Sequence, residues 1–304
     1  MSTEGGIKAV VAALLANIGI AISKFVAFLF TGSSSMLSES VHSLADSGNQ
    51  VLLLVGNRHS KRITTDRHQF GYGRIRYIYG FIVAIVLFVI GGIFSLYEGI
   101  HKIQSPEEVS NTSIALAVLF VAIILESFSL RTALREVNLI RGKRTLWQFI
   151  RAARQPELPV IVLEDIGALL GLVFALFGVG LATITNNSQW DGMGAIAVGI
   201  LLVVIAVILA IEMTSMLVGE SALSEDLEHI EKALQSASIV QSVIHLRTLY
   251  VGPDELLVAC KIAVSSDQSG ASLSTGIDEA EQLIRAQVPH ARYIFIEPDI
   301  LKNS

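Results

Sequence analysis

Four polar residues share one apolar stretch of the chain: Glu39, His42, Asp46 and Asn49, separated by three, four and three positions. On a helix that spacing sets all four on a single face. A His and a carboxylate four residues apart can chelate one ion, and one or two carboxylates from a facing helix complete a tetrahedral shell. The adjacent pair Glu164 and Asp165, inside a second apolar stretch, supplies them. Zinc suits such a mixed nitrogen and oxygen set. Cobalt and cadmium fit it too, and a carboxylate-rich shell admits manganese or iron, so residue type alone leaves the ion open. Ionisable groups at this depth face either a bundle interior or a water-filled path. A single one is best read as an interhelical hydrogen bond; His42, Asp46 and Asp165 together favour a metal path.

Other polar positions carry weaker signals. Asp66 and His68, two apart in a basic loop, offer a weak second metal site, although solvated loops often hold such residues. Glu126, beside Ser127 and Ser129, is a candidate proton carrier or a buried partner of Arg131. Lys24, Glu98 and Glu212 read as anchors that reach toward span ends, and Asn17 as a helix-to-helix hydrogen bond.

The elements that must hold these residues follow from composition. Of 304 residues, 52% are hydrophobic and 16% are charged, and mean hydropathy is +0.60. Soluble domains carry roughly 25% charged residues, so most of this chain belongs in a membrane. The lone Cys260 and the six prolines exclude a disulfide scaffold and a collagen-like or disordered chain. A helix crosses a bilayer with about 20 apolar residues, and six stretches qualify: Val10 to Thr31, Met36 to Asn57, Tyr77 to Ile100, Ser113 to Leu134, Val160 to Ile184 and Met193 to Val218. Thirteen of the 22 basic residues cluster after the second span and between the fourth and fifth. The opposite loops hold only Lys102, so both termini are expected in the cytoplasm. With no presequence evident, the expected setting is a bacterial inner membrane, with an organelle as the alternative.

Beyond Val218 the pattern becomes helix, strand, strand, helix, strand, which implies a small α+β layer. The expected division is residues 1–219 as a six-helix transmembrane domain and 220–304 as a cytoplasmic α+β domain. From Glu220 onward there are 13 acidic and six basic residues, so nucleic acid is not an expected partner. A layer this small is near the lower limit for an independent core, which makes pairing with a second copy an expectation.

Three local patterns resemble the cation diffusion facilitator family of metal transporters: SSSMLSESVHSLADSGNQ from Ser33, HQFGYGRIRY from His68 and VLEDIGALLG from Val162. The resemblance extends over nearly the whole chain. It implies that His42 and Asp46 form the family's second-span metal motif and that Asp165 is its fifth-span aspartate. Where the family usually places a His four residues before that aspartate, this chain has Ile161, and Glu164 is the expected replacement. The Leu-Glu-Asp triplet, the Asn49-Gln50 pair and the stretch around Glu126 are similar to the branch holding the mitochondrial zinc transporters. In the loop, Tyr72 stands where a second His can occur. In the cytoplasmic domain Cys260, Glu297 and Asp299, with His245 nearby, replace the family's His-rich sensing cluster, so the domain is expected mainly to dimerise.

The resemblance implies proton-coupled efflux of a divalent cation, Zn²⁺ first, through an alternating-access site between spans two and five of a homodimer. The alternatives are a manganese, iron or cobalt transporter of the same family, and a metal-binding membrane scaffold or sensor that does not transport. The chain has neither a Gly-x-x-x-x-Gly-Lys loop nor a His-Glu-x-x-His motif, and the expectation is a transporter without cofactor rather than an enzyme. Its partners would be the metal ion, protons, lipid and a second copy.

Overall fold

The computed structural model describes residues 3–106 and 111–300, so the outermost residues of both expected domains, 1–2 and 301–304, lie outside the described residues. The chain divides into two compact units. One holds Met1–Arg58 and Tyr77–Thr214; the other holds His59–Arg76 and Ser215–Ser304. The loop after the second expected span thus belongs with the C-terminal residues.

The first unit is built from helices α1 (Thr3–Thr31), α2 (Ser34–Ser60), α3 (Ile75–Val86), α4 (Phe94–Gln104), α5 (Thr112–Ile140), α6 (Leu146–Ala152), α7 (Glu157–Thr185) and α8 (Gln189–Val218). A π-helical segment, Leu87–Ile93, joins α3 to α4 within one span. Within it, Gly92 packs so closely on α8 that a Cβ there would lie 2.7 Å from Val203 Cγ2. Among the described residues, four helical stretches are long and apolar enough to cross a bilayer: Ile75–Gln104, Thr112–Ile140, Glu157–Thr185 and Gln189–Val218. In α1 the described apolar part is the shorter stretch Asn17–Thr31.

Helix α2 is as long as these but polar, and the polar residues are inside. Ser35, Ser38, Glu39, His42, Ser43, Asp46 and Asn49 are all buried. Apolar side chains such as Leu29, Phe128, Phe177 and Ile211 stand exposed instead. Polar groups inside and apolar groups outside is the arrangement lipid favours. A cluster around Val83, Leu87, Val160, Leu202 and Leu209 fills one part of the interior, and a second around Met36, Leu119, Leu172 and Val179 fills another.

The start of α2 is fixed from a distance. Gly32, at φ +62°, ends α1, and Asp191 at the start of α8 accepts hydrogen bonds from the backbone N–H of Ser34 at 2.8 Å and of Ser35 at 3.2 Å. Ser33 Oγ donates to the same carboxylate at 2.8 Å. These N–H groups have no intrahelical acceptor, so a buried carboxylate there satisfies them and complements the helix dipole. Lys102, which the charge count placed in a loop, is 3% exposed and donates to the Gly32 carbonyl at 3.0 Å. Its role is to end α1 rather than to face solvent. The short α6 was not anticipated from the sequence; Thr145 and Gln148 form a reciprocal capping box at its start.

The second unit contains α9 (Ser224–Ser236), β1 (Ser242–Gly252), β2 (Glu255–Ala263), α10 (Gly270–Gln287) and β3 (Ala291–Asp299). The sheet order is β1-β2-β3, with β1 and β2 antiparallel and β2 and β3 parallel. Leu256, Val258, Cys260 and Ile262 alternate into the core from β2. Ile230 and Leu234 from α9, and Ala280 and Ile284 from α10, meet them at helical spacing. The loop from the first half of the chain packs on the β1–β2 turn: Arg74 Nη2 donates to the Tyr250 carbonyl at 3.2 Å and Phe70 meets Tyr293 edge-on at 5.1 Å. Gly73 and Gly252 make this approach possible, since a Cβ on Gly73 would come within 2.7 Å of Gly252 Cα.

Candidate metal site

His42 and Asp46 both point into the helical unit, at 0% and 6% exposure. His42 Nδ1 lies 3.4 Å from Asp46 Oδ1, close but outside hydrogen-bond geometry, so both ring nitrogens and Asp46 Oδ1 stay buried without a hydrogen-bond partner. Glu164 and Asp165 on α7 are also buried. Glu164 Oε1 accepts from Asn49 Nδ2 at 2.6 Å, which ties α7 to the same face of α2 that carries His42. Asp165 Oδ2 accepts from Ser129 Oγ of α5 at 3.0 Å. Asp46 lies within electrostatic reach of Glu164, Asp165, Glu126 and Lys24.

The structure therefore gathers the expected residues of α2 and α7 in one buried region. Among the described residues, however, no three His, Cys, Asp or Glu side chains converge closely enough to form a metal shell. The orphaned nitrogens and oxygens are the chemically notable feature. A buried unpaired polar atom costs about 1–3 kcal/mol, and the unprotonated ring nitrogen of a neutral His42 and Asp46 Oδ1 each offer a lone pair that a cation can take.

The loop pair sits elsewhere, in the second unit. Asp66 and His68 are exposed, and His68 stacks on Tyr72 with ring centroids 4.7 Å apart. In the sheet, Lys261 Nζ stands between Glu297 Oε1 at 3.1 Å and Asp299 Oδ2 at 3.0 Å. Those hydrogen bonds raise the Lys261 ammonium above its ordinary range. Cys260 is buried, and that burial pushes its thiol up to about 11.

Two features were missed by the sequence reasoning. Lys24 is not an anchor at a span end: it is fully buried, with Nζ 3.0 Å from Glu39 Oε2 and 2.7 Å from Ser43 Oγ. Glu39 shares the face of His42, and an opposite charge on the neighbouring helix was the available signal. Asp191 gave no local signal, because the backbone it caps is 157 residues away. Of the other proposed anchors, Glu98 accepts from Ser34 Oγ at 2.8 Å and Glu212 lies 3.8 Å from Arg151. Glu126 is buried while Arg131 is exposed, so the two are not a buried pair.

Residues 10–218 match the family model of the cation efflux transmembrane domain, and residues 222–299 match that of the cation efflux protein cytoplasmic domain. The chain belongs to the cation efflux family. Membership makes it an integral membrane protein of the cation diffusion facilitator type expected from the three motifs. Among its relatives is the mitochondrial proton-coupled zinc antiporter of Xenopus laevis, 31% identical over 254 residues, covering 83% of this chain and 45% of the relative. Metal tolerance protein C4 of Arabidopsis thaliana is 27% identical, with 81% and 54% covered. Magnetosome protein MamB of Magnetospira sp. (strain QH-2) is 25% identical, with 93% and 92% covered. The chain thus spans about half the length of the animal and plant relatives. A solved MamM C-terminal domain in a nickel form is similar at 16% identity and TM-score 0.25, covering 26% of this chain and all of that one.

Proposed function

We propose that this cation efflux protein is a proton-coupled antiporter that exports a divalent cation, Zn²⁺ first among the candidates, with His42, Asp46, Asp165 and Glu164 as its binding groups. The observation that carries the reading is the set of buried, unpartnered donor atoms on His42 and Asp46, facing a helix that presents two carboxylates. Metal binding needs a neutral imidazole and ionised carboxylates, so each ion bound displaces protons and each proton gained loosens the ion. That exchange is the elementary step of antiport. Rocking of helices about the site would open it to each side in turn. The zinc antiporter among the relatives supports the choice of ion.

In this reading α1 and α2 also span the bilayer, giving six spans with both termini in the cytoplasm and a boundary between the two domains near Gly219. Helix α2 is less apolar than the other spans because its polar residues are enclosed by its neighbours, which is where a transport path belongs. The cytoplasmic domain pairs two copies into a homodimer. A bacterial inner membrane is the proposed setting. Asp66 and His68 remain a weak surface site, subordinate to the buried one.

Purified protein in liposomes with an imposed pH gradient tests the proposal. Uptake of zinc that saturates, moves protons the opposite way and disappears in Asp46→Ala is the expected result. Equal transport by Asp46→Ala would overturn the assignment, and competition with Co²⁺, Mn²⁺ and Fe²⁺ ranks the ions.

A further inference from the structure

The paired Lys24 and Glu39 are unused by the site described above, and their surroundings are unusual. Lys24 is a fully buried cation held by Glu39 Oε2 at 3.0 Å and Ser43 Oγ at 2.7 Å. Glu39 Oε1, by contrast, is buried with no partner. It rests against the bare Cα of Gly171 on α7, where a Cβ would lie 2.5 Å from it. Glu39 is one helical turn from His42 on the same face, so its free oxygen extends the row of orphaned donor atoms at His42 and Asp46.

On its other side Lys24 borders a cavity of about 880 Å³ between α1 and α5, whose wall also includes Asn17, Glu126 and Ser129. Glu126 is buried there, and the Lys24 charge acts on it as it does on Glu39, His42 and Asp46. A lysine on a four-carbon stem therefore has three carboxylates within its field, Glu39, Asp46 and Glu126, and open volume on the side of Glu126.

We infer that Lys24 is a tethered cation that competes with the transported metal for Glu39, and that Glu39 is a further metal-binding carboxylate beyond the expected ligands. The inference rests on the transport reading and deepens it. With no metal bound, the ammonium neutralises Glu39 and keeps a buried carboxylate tolerable. When the divalent cation engages His42, Asp46 and Glu39, it displaces the ammonium, which moves across the cavity to Glu126. Return of the ammonium to Glu39 then helps to expel the ion, so that affinity is limited and release is fast.

Zinc titration calorimetry on the full chain in detergent tests this with Lys24→Gln, Glu39→Gln, their combination and Glu126→Gln. Gln at position 24 keeps a hydrogen-bond donor for Glu39 while removing the charge, and the double variant removes both charges should the single one fold poorly. Lys24→Gln is expected to tighten zinc binding about tenfold, and to lose that gain in the Glu39→Gln background. It should also slow zinc turnover in liposomes. Glu126→Gln should weaken binding, because the displaced ammonium has lost its second seat. Unchanged or weaker binding in Lys24→Gln would overturn the inference, as would an equal gain with and without Glu39. Either result would leave the transport reading standing as long as Asp46→Ala still abolishes binding; if Asp46→Ala binds zinc like the parent, the site reading itself fails.

Discussion

The two units handle polar groups in opposite ways. In the sheet-bearing unit the interior is made of Ile230, Leu234, Leu256, Val258, Ile262 and Ile284, and its charges meet one another at the surface, as Lys261 does with Glu297 and Asp299. In the helical unit the interior holds Glu39, His42, Asp46, Asn49, Glu164 and Asp165, and several of their atoms are left without partners. Stability accounts for the first arrangement. It does not account for the second, since each buried polar atom left without a partner costs about 1–3 kcal/mol. The polar atoms left unsatisfied inside the helical unit are the feature on which the proposed metal site rests.

The contrast can be broken at either end. The largest effect is expected from Asp46→Ala, which should reduce zinc affinity by at least about 100-fold in calorimetry while leaving the melting of the sheet-bearing unit unchanged. Leu234→Ala should do the reverse. A fully buried Leu lost from a small core costs about 2–5 kcal/mol, read by thermal unfolding, with zinc affinity preserved. Asp191→Ala comes next: losing a buried acceptor for two N–H groups should destabilise the helical unit by about 1–2 kcal/mol. A detergent melting curve identical to the parent would show that the start of α2 has another support.

A smaller effect concerns pH. The Cys260 thiol is pushed up from 9.0 to about 11 by burial. Its raised value in the folded state means that its contribution to stability is complete below pH 9 and is lost as pH rises toward 11. Alkylation at pH 8 should therefore be slow in the folded chain and fast in denaturant; equal rates would place the thiol at the surface. The smallest change is expected from Arg292→Ala, which removes an exposed pair with Glu255 and should shift stability by less than about 1 kcal/mol.

Much of this was legible in the sequence wherever the cause is local. The spacing from Glu39 to Asn49 fixes a face, and alternation in β2 fixes which residues enter the core, because helix and strand periods are set by the backbone. What was not legible depends on partners far apart in the chain. Lys24 resembles a snorkelling anchor in the sequence, because the groups that enclose it, Glu39 and Ser43, lie on the next helix. The cap from Asp191, the burial of Lys102 and the π-helical segment Leu87–Ile93 each depend on a neighbouring helix. The loop carrying Asp66 and His68 lies within the first 219 residues by position, and its packing is with the sheet, a partner more than 170 residues further along the chain.

That packing sets an order of events during synthesis. Arg74 leaves the ribosome 176 residues before its acceptor at Tyr250, and at about 5–20 residues per second the delay is roughly 10–35 s. Throughout that interval the basic loop is already made, while the sheet it rests on does not exist. The C-terminal unit therefore closes on a segment laid down long before it, and a fragment beginning at Ser215 would present the β1–β2 turn without the residues that cover it.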